Sequence, residues 1–382
     1  MIGNLSYWEQ NTWLNDIDVA VVGSGIVGLC CAIRLKERFP EKKIVVFERG
    51  QLPSGASTKN AGFACFGSTS ELLDDLRKHS PEEVLELVRK RVSGLRKLRS
   101  LLGDQQIDFQ QHGGYEVFLA SDMALYEQCI SGLEMLNDLL HGTFDETDAI
   151  LPKNAVFSIK NDPFSFKNTQ KQLIFNQYEA QIDTGKMMDA LLRLAQKRGV
   201  FILNSTKISS ISAKNGLVSL VLNENQEIHA KAACIATNGF AKQLLPADVE
   251  PARAQVLVTK PIKNLPLKGT FHLDKGYYYF RNIHDRILLG GGRNLDFEAE
   301  RTTTMGQTAL VMNRLEELLR NTILPGYEVE IEQSWSGIMG VGAQKKAIVE
   351  QVKPGIYLGV RLGGMGVAIG SHIGTELADL VE

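Results

Sequence analysis

The segment from Val19 to Glu48 constrains the fold more than any other part of this 382-residue chain. The β-branched run Val19–Val22 has no helical period and leads into the glycine turn Gly23–Gly28. A helical apolar pattern follows over Leu29–Phe39, and a second apolar run ends at the acid Glu48. This order predicts a strand, a tight turn, a helix and a second strand, which together form a unit that holds a dinucleotide.

The glycines of this turn have separate physical roles. Gly23 allows the tight turn, Gly25 lets a pyrophosphate approach the backbone, and Gly28 lets the helix pack closely on the strand. The first N–H groups of the helix have no intrahelical partner and attract phosphate. Glu48 follows Gly28 by twenty residues, where a carboxylate accepts hydrogen bonds from ribose hydroxyls and repels a 2′-phosphate. FAD and NAD therefore fit this unit better than NADP.

Composition and charge argue against several classes of protein. The net charge of −2 gives no reason to expect nucleic acid or an acidic membrane as a partner. The sequence has no transmembrane-length apolar run, and residues 1–18 lack the features of a secretory signal. The five cysteines are scattered, and no histidine lies at metal-ligand spacing from them. We therefore expect a cytoplasmic protein without a disulfide framework and without a metal site.

Helical and strand patterns alternate along the rest of the chain. Residues 71–102 and 121–140 are predicted to be helical, and Asp183 or Thr184 is predicted to cap a helix over Lys186–Arg198. From Gln255 to Leu289 the pattern changes to successive strands. Residues 143–178 show no pattern that assigns them to an element.

Several sequence blocks, taken in order, resemble the FAD-dependent D-amino acid oxidase superfamily. Its members include glycine oxidase, sarcosine oxidase and gamma-glutamylputrescine oxidase. The resemblance covers nearly the whole chain from Asp18 onward, and it depends on the order of the blocks. The blocks are the glycine turn with Glu48, Gly55–Gly62, Ala236–Gly239, Pro251–Gln255, Tyr278–Arg281, Leu289–Gly292 and Gly363–Gly366.

The resemblance implies a fold, a cofactor and a reaction. The fold is α/β (α+β overall), with a Rossmann-like FAD/NAD(P)-binding domain and a second, mostly antiparallel-sheet substrate domain. The FAD domain is expected to be discontinuous, comprising residues 1–85, 172–245 and 336–382, and the substrate domain to comprise residues 86–171 and 246–335. The reaction is oxidation of the C–N bond of a small amine or amino acid by hydride transfer to flavin N5, after which the imine hydrolyses.

The predicted FAD contacts come from the glycine turn, the loop after Glu48 and two later turns. The loop is long, and loops of this length inside a compact domain are usually functional. Gly363–Gly366 precedes an apolar helix, whose N-terminus would stabilise negative charge at the flavin pyrimidine edge. The predicted residues are Gly23, Ser24, Gly25, Ile26, Val27, Gly28, Glu48, Arg49, Ser57, Thr58, Lys59, Asn60, Ala61, Gly62, Ile208, Thr237, Asn238, Gly239, Gly363, Gly364, Met365 and Gly366.

Arg281 is the first candidate to bind a substrate carboxylate. Two-residue alternation places Tyr277, Tyr279 and Arg281 on one face of a predicted strand. A planar guanidinium beside tyrosine hydroxyls suits bidentate binding of a carboxylate. Tyr279 is therefore predicted to help position the substrate, and Arg293 is the second cationic candidate. Arg361 is a further side chain that we expect could reach the ligand.

The chain also departs from relatives of this family. Residues 336–346 lack the arginine that amino acid oxidases carry there, and Ile287–Leu289 lacks the lysine of sarcosine oxidases. The later segment has no cysteine, so we expect non-covalent FAD, although Cys65 could face the flavin. The electron acceptor is left open between oxygen and another acceptor. The alternatives are a tRNA-modifying flavoenzyme that acts on an aminomethyl group and a nicotinamide-dependent dehydrogenase.

Overall fold

The computed structural model describes residues 5–144 and 155–382, and within them it contains two eight-stranded sheets and one two-stranded sheet. The helices are α1 (Tyr7–Glu9), α2 (Ile26–Arg38), α3 (Thr69–Leu76), α4 (Pro81–Leu102), α5 (Met123–Leu139), α6 (Thr184–Lys197), α7 (Ala309–Leu318) and α8 (Gly366–Asp379). The strands are β1 (Ile17–Val22), β2 (Ile44–Phe47), β3 (Phe63–Ala64), β4 (Gly114–Glu116), β5 (Phe157–Asn161), β6 (Gln172–Asn176), β7 (Ala180–Gln181), β8 (Phe201–Leu203), β9 (Ile208–Lys214), β10 (Leu217–Leu222), β11 (Gln226–Ile235), β12 (Glu250–Thr259), β13 (Thr270–Leu273), β14 (Tyr278–Ile283), β15 (Arg286–Gly291), β16 (Ile331–Val341), β17 (Ile348–Lys353) and β18 (Ile356–Val360).

The first sheet is built around the β1–α2–β2 unit that the glycine turn predicts. Strands β18, β11, β1, β2 and β8 lie side by side in this order and pair in parallel. Successive residues of β1 face opposite sides of the sheet. Val19 and Val21 pack into a core with α2, α6 and α8, whereas Ala20 and Val22 pack into a second core with β9 and β10.

The second sheet is antiparallel apart from one pair of strands. Its order is β16, β12, β15, β14, β13, β4, β6 and β5, and only β13 and β4 run parallel. Phe271 and Phe280 stack on each other at 4.5 Å in a core that α7 completes through Val311 and Leu315. Strands β3 and β7 form a separate two-stranded sheet, and Phe63 of β3 packs against the second large sheet.

One predicted helix differs from the structure, and one predicted helix cap is confirmed. The predicted helix over residues 71–102 is wrong in its continuity, because α3 ends at Leu76 and α4 begins at Pro81. Ser80 caps α4 by accepting a hydrogen bond from the Glu83 N–H, and proline at the first helical position fixes the start. The cap of α6 is Asp183, whose carboxylate accepts from the Lys186 N–H at 2.9 Å.

The predicted domain boundaries remain a prediction, and two observations bear on them. Helix α4 continues through the predicted boundary at residues 85 and 86, and Leu98 and Leu102 belong to the core of the first sheet. Strand β6, predicted to lie in the FAD domain, belongs to the second sheet. Residues 1–4 and 145–154 of the predicted domains lie outside the described residues. Within the described ranges, none of the helices combines the length and hydropathy that crossing a membrane requires.

Candidate active site

A cavity of about 380 Å³ lies where the two large sheets meet the loop after β2. The first sheet contributes the ends of β1 and β2, and the second sheet contributes Tyr277 and Tyr279. The start of α8 forms a further wall through Gly366 and Val367. The predicted glycine turn, the loop and the later turns therefore meet at one cavity, although they are far apart in sequence.

The glycines of the first turn are required by close approaches of the backbone. A Cβ on Gly28 would lie 1.9 Å from the carbonyl oxygen of Gly23, and a Cβ on Gly25 would lie 2.8 Å from Ser57 Oγ. Ser57 Oγ accepts a hydrogen bond from the Ile26 N–H at 3.0 Å, which ties the loop to the first turn of α2. Helix α2 has no side-chain cap of its own, because its N-cap residue is Gly25.

Glu48 is buried at the end of β2 and organises the backbone around it. One carboxylate oxygen accepts from the N–H and the hydroxyl of Ser24, at 3.1 and 2.9 Å. The other accepts from the Gly50 N–H and the Ser54 hydroxyl, both at 2.9 Å. Glu48 lines the cavity, and these contacts hold its carboxylate between the glycine turn and the loop.

Asn60 gives the loop its shape. Its amide group donates to the carbonyls of Ala56 and Ser57 at 3.2 and 2.8 Å. Its Oδ1 accepts from the Gly62 N–H at 2.8 Å and from the Thr184 hydroxyl at 2.9 Å. Asn60 therefore joins the short 3₁₀ helix Ala56–Thr58 of the loop to Gly62 and to the start of α6.

The turn after β11 presents a polar group to the cavity. Thr237 lines the cavity, and its buried hydroxyl oxygen has no hydrogen-bond partner among the described residues. Asn238 Oδ1 accepts from the backbone N–H of Arg361 at 3.0 Å, which joins this turn to the segment before α8. A Cβ on Gly239 would lie 2.4 Å from the Met339 carbonyl oxygen, so this glycine allows close packing.

The N-terminus of α8 opens onto the cavity. Its N-cap residue is Met365, and no side chain caps the helix. Gly366, Val367 and Ala368 line the cavity with the first turn of this helix. Because the first N–H groups of a helix carry partial positive charge, this wall favours an anionic group.

Most of the predicted cofactor residues line this cavity. Ser24, Gly28, Thr58 and Gly239 do not, and Ser24, Gly28 and Gly239 support it through the contacts described above. The Thr58 hydroxyl donates to the Pro53 carbonyl at 2.7 Å, which supports the loop. The lining residues from the prediction are Gly23, Gly25, Ile26, Val27, Glu48, Arg49, Ser57, Lys59, Asn60, Ala61, Gly62, Ile208, Thr237, Asn238, Gly363, Gly364, Met365 and Gly366.

Arg293 is a partly buried cation in the wall that the second sheet provides. Its guanidinium carbon lies 5.4 Å from the ring centre of Tyr277 and 5.1 Å from that of Phe297. Among the described residues it makes no ion pair, and burial lowers its pKa below the usual value for arginine. A guanidinium that lies beside aromatic rings and has no ion-pair partner in the described part of the chain is suited to binding a carboxylate.

The glycines before Arg293 place it beside Tyr277. A Cβ on Gly290 would lie 2.7 Å from the ring of Tyr279, so this glycine leaves room for the tyrosine. Gly291 has φ +124°, and a Cβ there would lie 2.0 Å from the Tyr277 carbonyl oxygen. Tyr279 lines the cavity, and burial raises the pKa of its hydroxyl to about 12.

Arg281 is separated from this cavity by the loop. Its Nε donates to the carbonyl of Ala61, and Nη2 donates to the carbonyl of Ile182 at 2.9 Å. It lines a second cavity, of about 190 Å³, and burial lowers its pKa to about 10. A Cβ on Gly62 would lie 2.8 Å from Nη2, which shows how closely the loop packs on this side chain. The predicted carboxylate-binding role receives no support from this position.

His272 lines the cavity, although sequence reasoning did not select it. It lies on β13, and its Nε2 is 2.9 Å from the carboxylate of Glu179. Both residues are buried. The sequence places them far apart, and no local pattern indicates that they form a pair.

Two other side chains for which the sequence left a role open are now located. Cys65 lines the cavity, its Sγ is 3.8 Å from Met365 Sδ, and burial raises the pKa of its thiol. Arg361 is buried away from the cavity lining, where it donates to the Lys346 carbonyl at 2.9 Å and pairs with Asp248 at 2.5 Å. Arg361 therefore holds two loops together.

The chain belongs to the family described as FAD dependent oxidoreductase (DAO), because the sequence model of that family matches residues 18–380. A probable oxidoreductase OrdL from Rhizobium meliloti is 24% identical over 380 residues, covering 95% of this chain and 82% of that protein. A probable oxidoreductase OrdL from Haemophilus influenzae is 20% identical over 395 residues, covering 97% and 84%. The cofactor of this flavoprotein is therefore FAD, as the sequence predicts.

Solved structures with the same fold cover almost the whole chain. L-proline dehydrogenase from P. horikoshii has a TM-score of 0.73 at 16% identity, covering 96% of this chain and 93% of that one. Glycine oxidase from Geobacillus kaustophilus has a TM-score of 0.72 at 19% identity, covering 95% and 94%. These likenesses confirm the predicted fold class, a Rossmann-like FAD-binding domain with a mostly antiparallel substrate domain.

Proposed function

We propose that this FAD-dependent oxidoreductase oxidises the C–N bond of a small amine that carries a carboxylate, most simply an amino acid. The observation that carries this proposal is Arg293, whose guanidinium lies beside two aromatic rings in the cavity wall and makes no ion pair among the described residues. It lies in the same cavity as the glycine turn and the start of α8. The names of the structural neighbours, which include a glycine oxidase and an L-proline dehydrogenase, agree with this substrate class.

The residues of the cavity fit the chemistry of FAD. The N-termini of α2 and α8 both open onto it, and the N-cap residue of neither helix supplies a side-chain cap. We assign the N-terminus of α2, with Gly23–Gly28, to the diphosphate, because a helix N-terminus and bare backbone suit phosphate. We assign the N-terminus of α8, with Gly363–Gly366, to the flavin pyrimidine edge, which becomes negative on reduction. The unpartnered Thr237 hydroxyl in the wall is a further polar group available to the cofactor.

Three residues are assigned to the substrate or to the loop beside it. Arg293 binds the carboxylate and thereby orients the carbon that bears the amine. Tyr279 remains neutral through most of the pH range, because its pKa is raised to about 12, and its ring closes the cavity against water. Arg281 is assigned to holding the loop at Ala61, and so to positioning the cofactor.

When bound, FAD would supply the redox chemistry, as the acceptor of a hydride from the carbon that bears the amine. The protein's part is to orient the substrate and to exclude water. The amine must lose its proton before this step, and the imine product hydrolyses in water. This chemistry needs no strong protein base, and the cavity wall supplies an anchor for the carboxylate instead.

The proposal is tested with the purified holoenzyme under anaerobic conditions. A panel of D- and L-amino acids, N-alkyl glycines and simple amines is added, and bleaching of the flavin absorbance is followed. We expect bleaching by carboxylated amines, and a loss of about 100-fold in kcat/KM for Arg293→Met, because truncating one partner of a charge pair is costly. Arg193→Met, on an exposed face, is the matched control.

Three outcomes would contradict the proposal. The first is a protein that stays colourless after reconstitution with FAD. The second is a flavin that no amine reduces. The third is an Arg293→Met variant with unchanged kinetics.

The electron acceptor and the attachment of FAD are tested in the same preparation. Peroxide release in air would indicate an oxidase, and its absence with a reducible flavin would indicate a dehydrogenase. We propose that FAD is non-covalent, because Cys65 is the one cysteine among the described residues that lines the cavity, and burial raises the pKa of its thiol and so disfavours the reactive thiolate. Acid precipitation should therefore release a yellow supernatant.

A further inference from the structure

His272 and Glu179 form a buried pair beside the cavity. The side chains are 6% and 1% exposed, and His272 Nε2 is 2.9 Å from Glu179 Oε2. The same oxygen accepts from the Thr270 hydroxyl at 2.7 Å, and Asn176 donates to the other oxygen at 3.4 Å. Thr270 and Asn176 therefore hold the Glu179 carboxylate in place, and this carboxylate is the hydrogen-bond partner of His272 Nε2.

Nδ1 is the nitrogen that remains. Among the described residues it has no hydrogen-bond partner, while the ring lines the cavity. Phe63 packs on the imidazole at 5.2 Å and on Tyr279 at 5.6 Å, which places the three rings in one row. His272 also pairs with Tyr279 across β13 and β14, so it belongs to the wall that carries the proposed substrate residues.

The charges around His272 favour a doubly protonated ring. Burial disfavours the charged imidazolium, but the charge and hydrogen bond of Glu179, with Glu71 on α3 and Glu116 on β4, raise the pKa of His272 to about 9. The neighbouring Tyr279 hydroxyl and Cys65 thiol stay neutral, because burial raises the pKa of each. At neutral pH, Nε2–H therefore faces Glu179 and Nδ1–H is available to the cavity.

Three other charged side chains that line the cavity have protein partners. Arg91 donates to the Phe66 carbonyl at 2.7 Å, and Lys275 and Lys345 pair with Asp74 and Asp75, at 3.7 and 2.6 Å. His272 differs from these groups in two ways taken together. Glu179, which is buried, fixes the orientation of the imidazole, and Nδ1 has no acceptor among the described residues.

We propose that His272 is a specificity-determining residue that donates a hydrogen bond from Nδ1 to an oxygen atom on the substrate, separate from the carboxylate at Arg293. The inference rests on the proposed function, and it narrows the substrate class to amino acids or amines that carry a second carboxylate, amide or carbonyl oxygen. An aliphatic group at that place leaves the N–H without a partner, which disfavours its binding.

The test compares substrates that have the same shape and differ in their oxygen atoms. Each enantiomer of aspartate, asparagine and leucine is mixed with the holoenzyme under anaerobic conditions. The value of kcat/KM is then taken from the rate at which the flavin absorbance bleaches. For the enantiomer that the wild-type enzyme oxidises, we expect kcat/KM for aspartate or asparagine to exceed kcat/KM for leucine by about 100-fold. A site that donates a hydrogen bond to its substrate discriminates against an analogue that lacks the acceptor. His272→Phe should bring this ratio close to one, and His229→Phe, at an exposed site on β11, should leave it unchanged.

A pH profile separates donation from a purely structural role. The wild-type ratio should fall as the pH rises through about 9, where His272 loses a proton and Nδ1 becomes an acceptor. His272→Gln, whose amide donates at every pH, should keep a ratio that does not depend on pH. The profile uses the ratio of aspartate to leucine, because the amines of these two substrates titrate at nearly the same pH and their titration therefore largely cancels.

The results distinguish the inference from the function on which it rests. Equal reduction of the flavin by leucine and aspartate, or a ratio that His272→Phe leaves unchanged, overturns the inference and leaves the proposed function standing. A ratio in the His272→Gln variant that falls with pH as in the wild type also overturns it. If no amine in the larger panel reduces the flavin, the proposed function fails and this inference fails with it.

Discussion

The two ends of the cavity are built in different ways. At the end formed by the glycine turn, the shape depends on residues that have no side chain, since a Cβ on Gly28 would lie 1.9 Å from a backbone oxygen. At the end formed by β13, β14 and β15, it depends on side chains, chiefly Arg293, His272 and Tyr279. Substitutions at the first end should therefore change flavin content and stability together. Those at the second should change substrate kinetics and leave the flavin bound.

The largest expected effect comes from adding atoms at the first end. Gly28→Val should destabilise the protein by about 3 kcal/mol, the upper end of the usual cost of overpacking, because even its Cβ would lie 1.9 Å from the Gly23 carbonyl oxygen. The variant should also lose its flavin, as measured by the absorbance ratio of purified protein and by urea unfolding. Gly185→Ala is the control, since its Cβ meets only Asp183 Oδ1, at 3.3 Å. A stable Gly28→Val variant that keeps its flavin would contradict the expectation that this end of the cavity controls stability and flavin content together.

A pH dependence of stability should appear at the second end. The folded pKa of His272 is about 9, above its unfolded value of 6.5, so its contribution is complete below pH 6.5 and is lost as the pH rises through 9. The shift corresponds to roughly 3 kcal/mol. Urea unfolding of the FAD-saturated wild type and of His272→Gln should therefore show a difference that shrinks between pH 6 and pH 9.5. A difference that stays constant over this range would show that His272 does not titrate in this way.

Arg281 and Arg293 sharpen the comparison because they have the same chemistry and different partners. Arg281→Met should cost about 2 kcal/mol and weaken FAD binding, because it leaves the carbonyls of Ala61 and Ile182 without a donor. Its KM for the amine should be unchanged once FAD is saturating. Measuring FAD affinity and KM for both methionine variants tests this pattern. An Arg281→Met variant with a raised KM and unchanged FAD affinity would return Arg281 to the substrate site.

The smallest expected effect concerns one hydrogen bond. Ser57→Ala removes the acceptor of the Ile26 N–H, and such capping contacts contribute about 1 kcal/mol. We expect a small loss of stability and a several-fold weaker affinity for FAD, measured by titrating the apoprotein with FAD. Ser131→Ala, on the exposed face of α5, is a matched control. A larger loss of FAD affinity than in Arg281→Met would mean that this contact matters more than the fixed shape of the loop.

The fold could be predicted best where neighbouring residues in the sequence decide the structure. The unit from β1 to β2 and the helix after Gly363–Gly366 could be read from apolar periodicity and glycines alone. The break between α3 and α4 was missed, although Ser80 and Pro81 carry a clear start signal, because the apolar pattern continues through it. The partition of the chain between the two sheets depends on long-range pairing, which periodicity does not encode.

The site was predictable for backbone contacts and poorly predictable for side-chain partners. Alternation put Tyr279 and Arg281 on one face of the predicted strand, but Tyr277 lies in the turn before β14. Alternation also could not show that the loop at Ala61 passes between the arginine and the cavity. The pair of His272 and Glu179 forms between residues 93 positions apart. Only the pairing of β13 with its neighbours brings such residues together, so no local signal identifies them.

The position of α8 has a consequence for how this protein is made. The cavity is lined by residues from Val22 to Ala368, and α8 packs against α2 and α4. A nascent chain that presents the glycine turn early in translation lacks this wall until the ribosome has passed residue 368. The cavity is therefore completed only after α8 has been made, so the glycine turn must fold before the last wall of the FAD site exists.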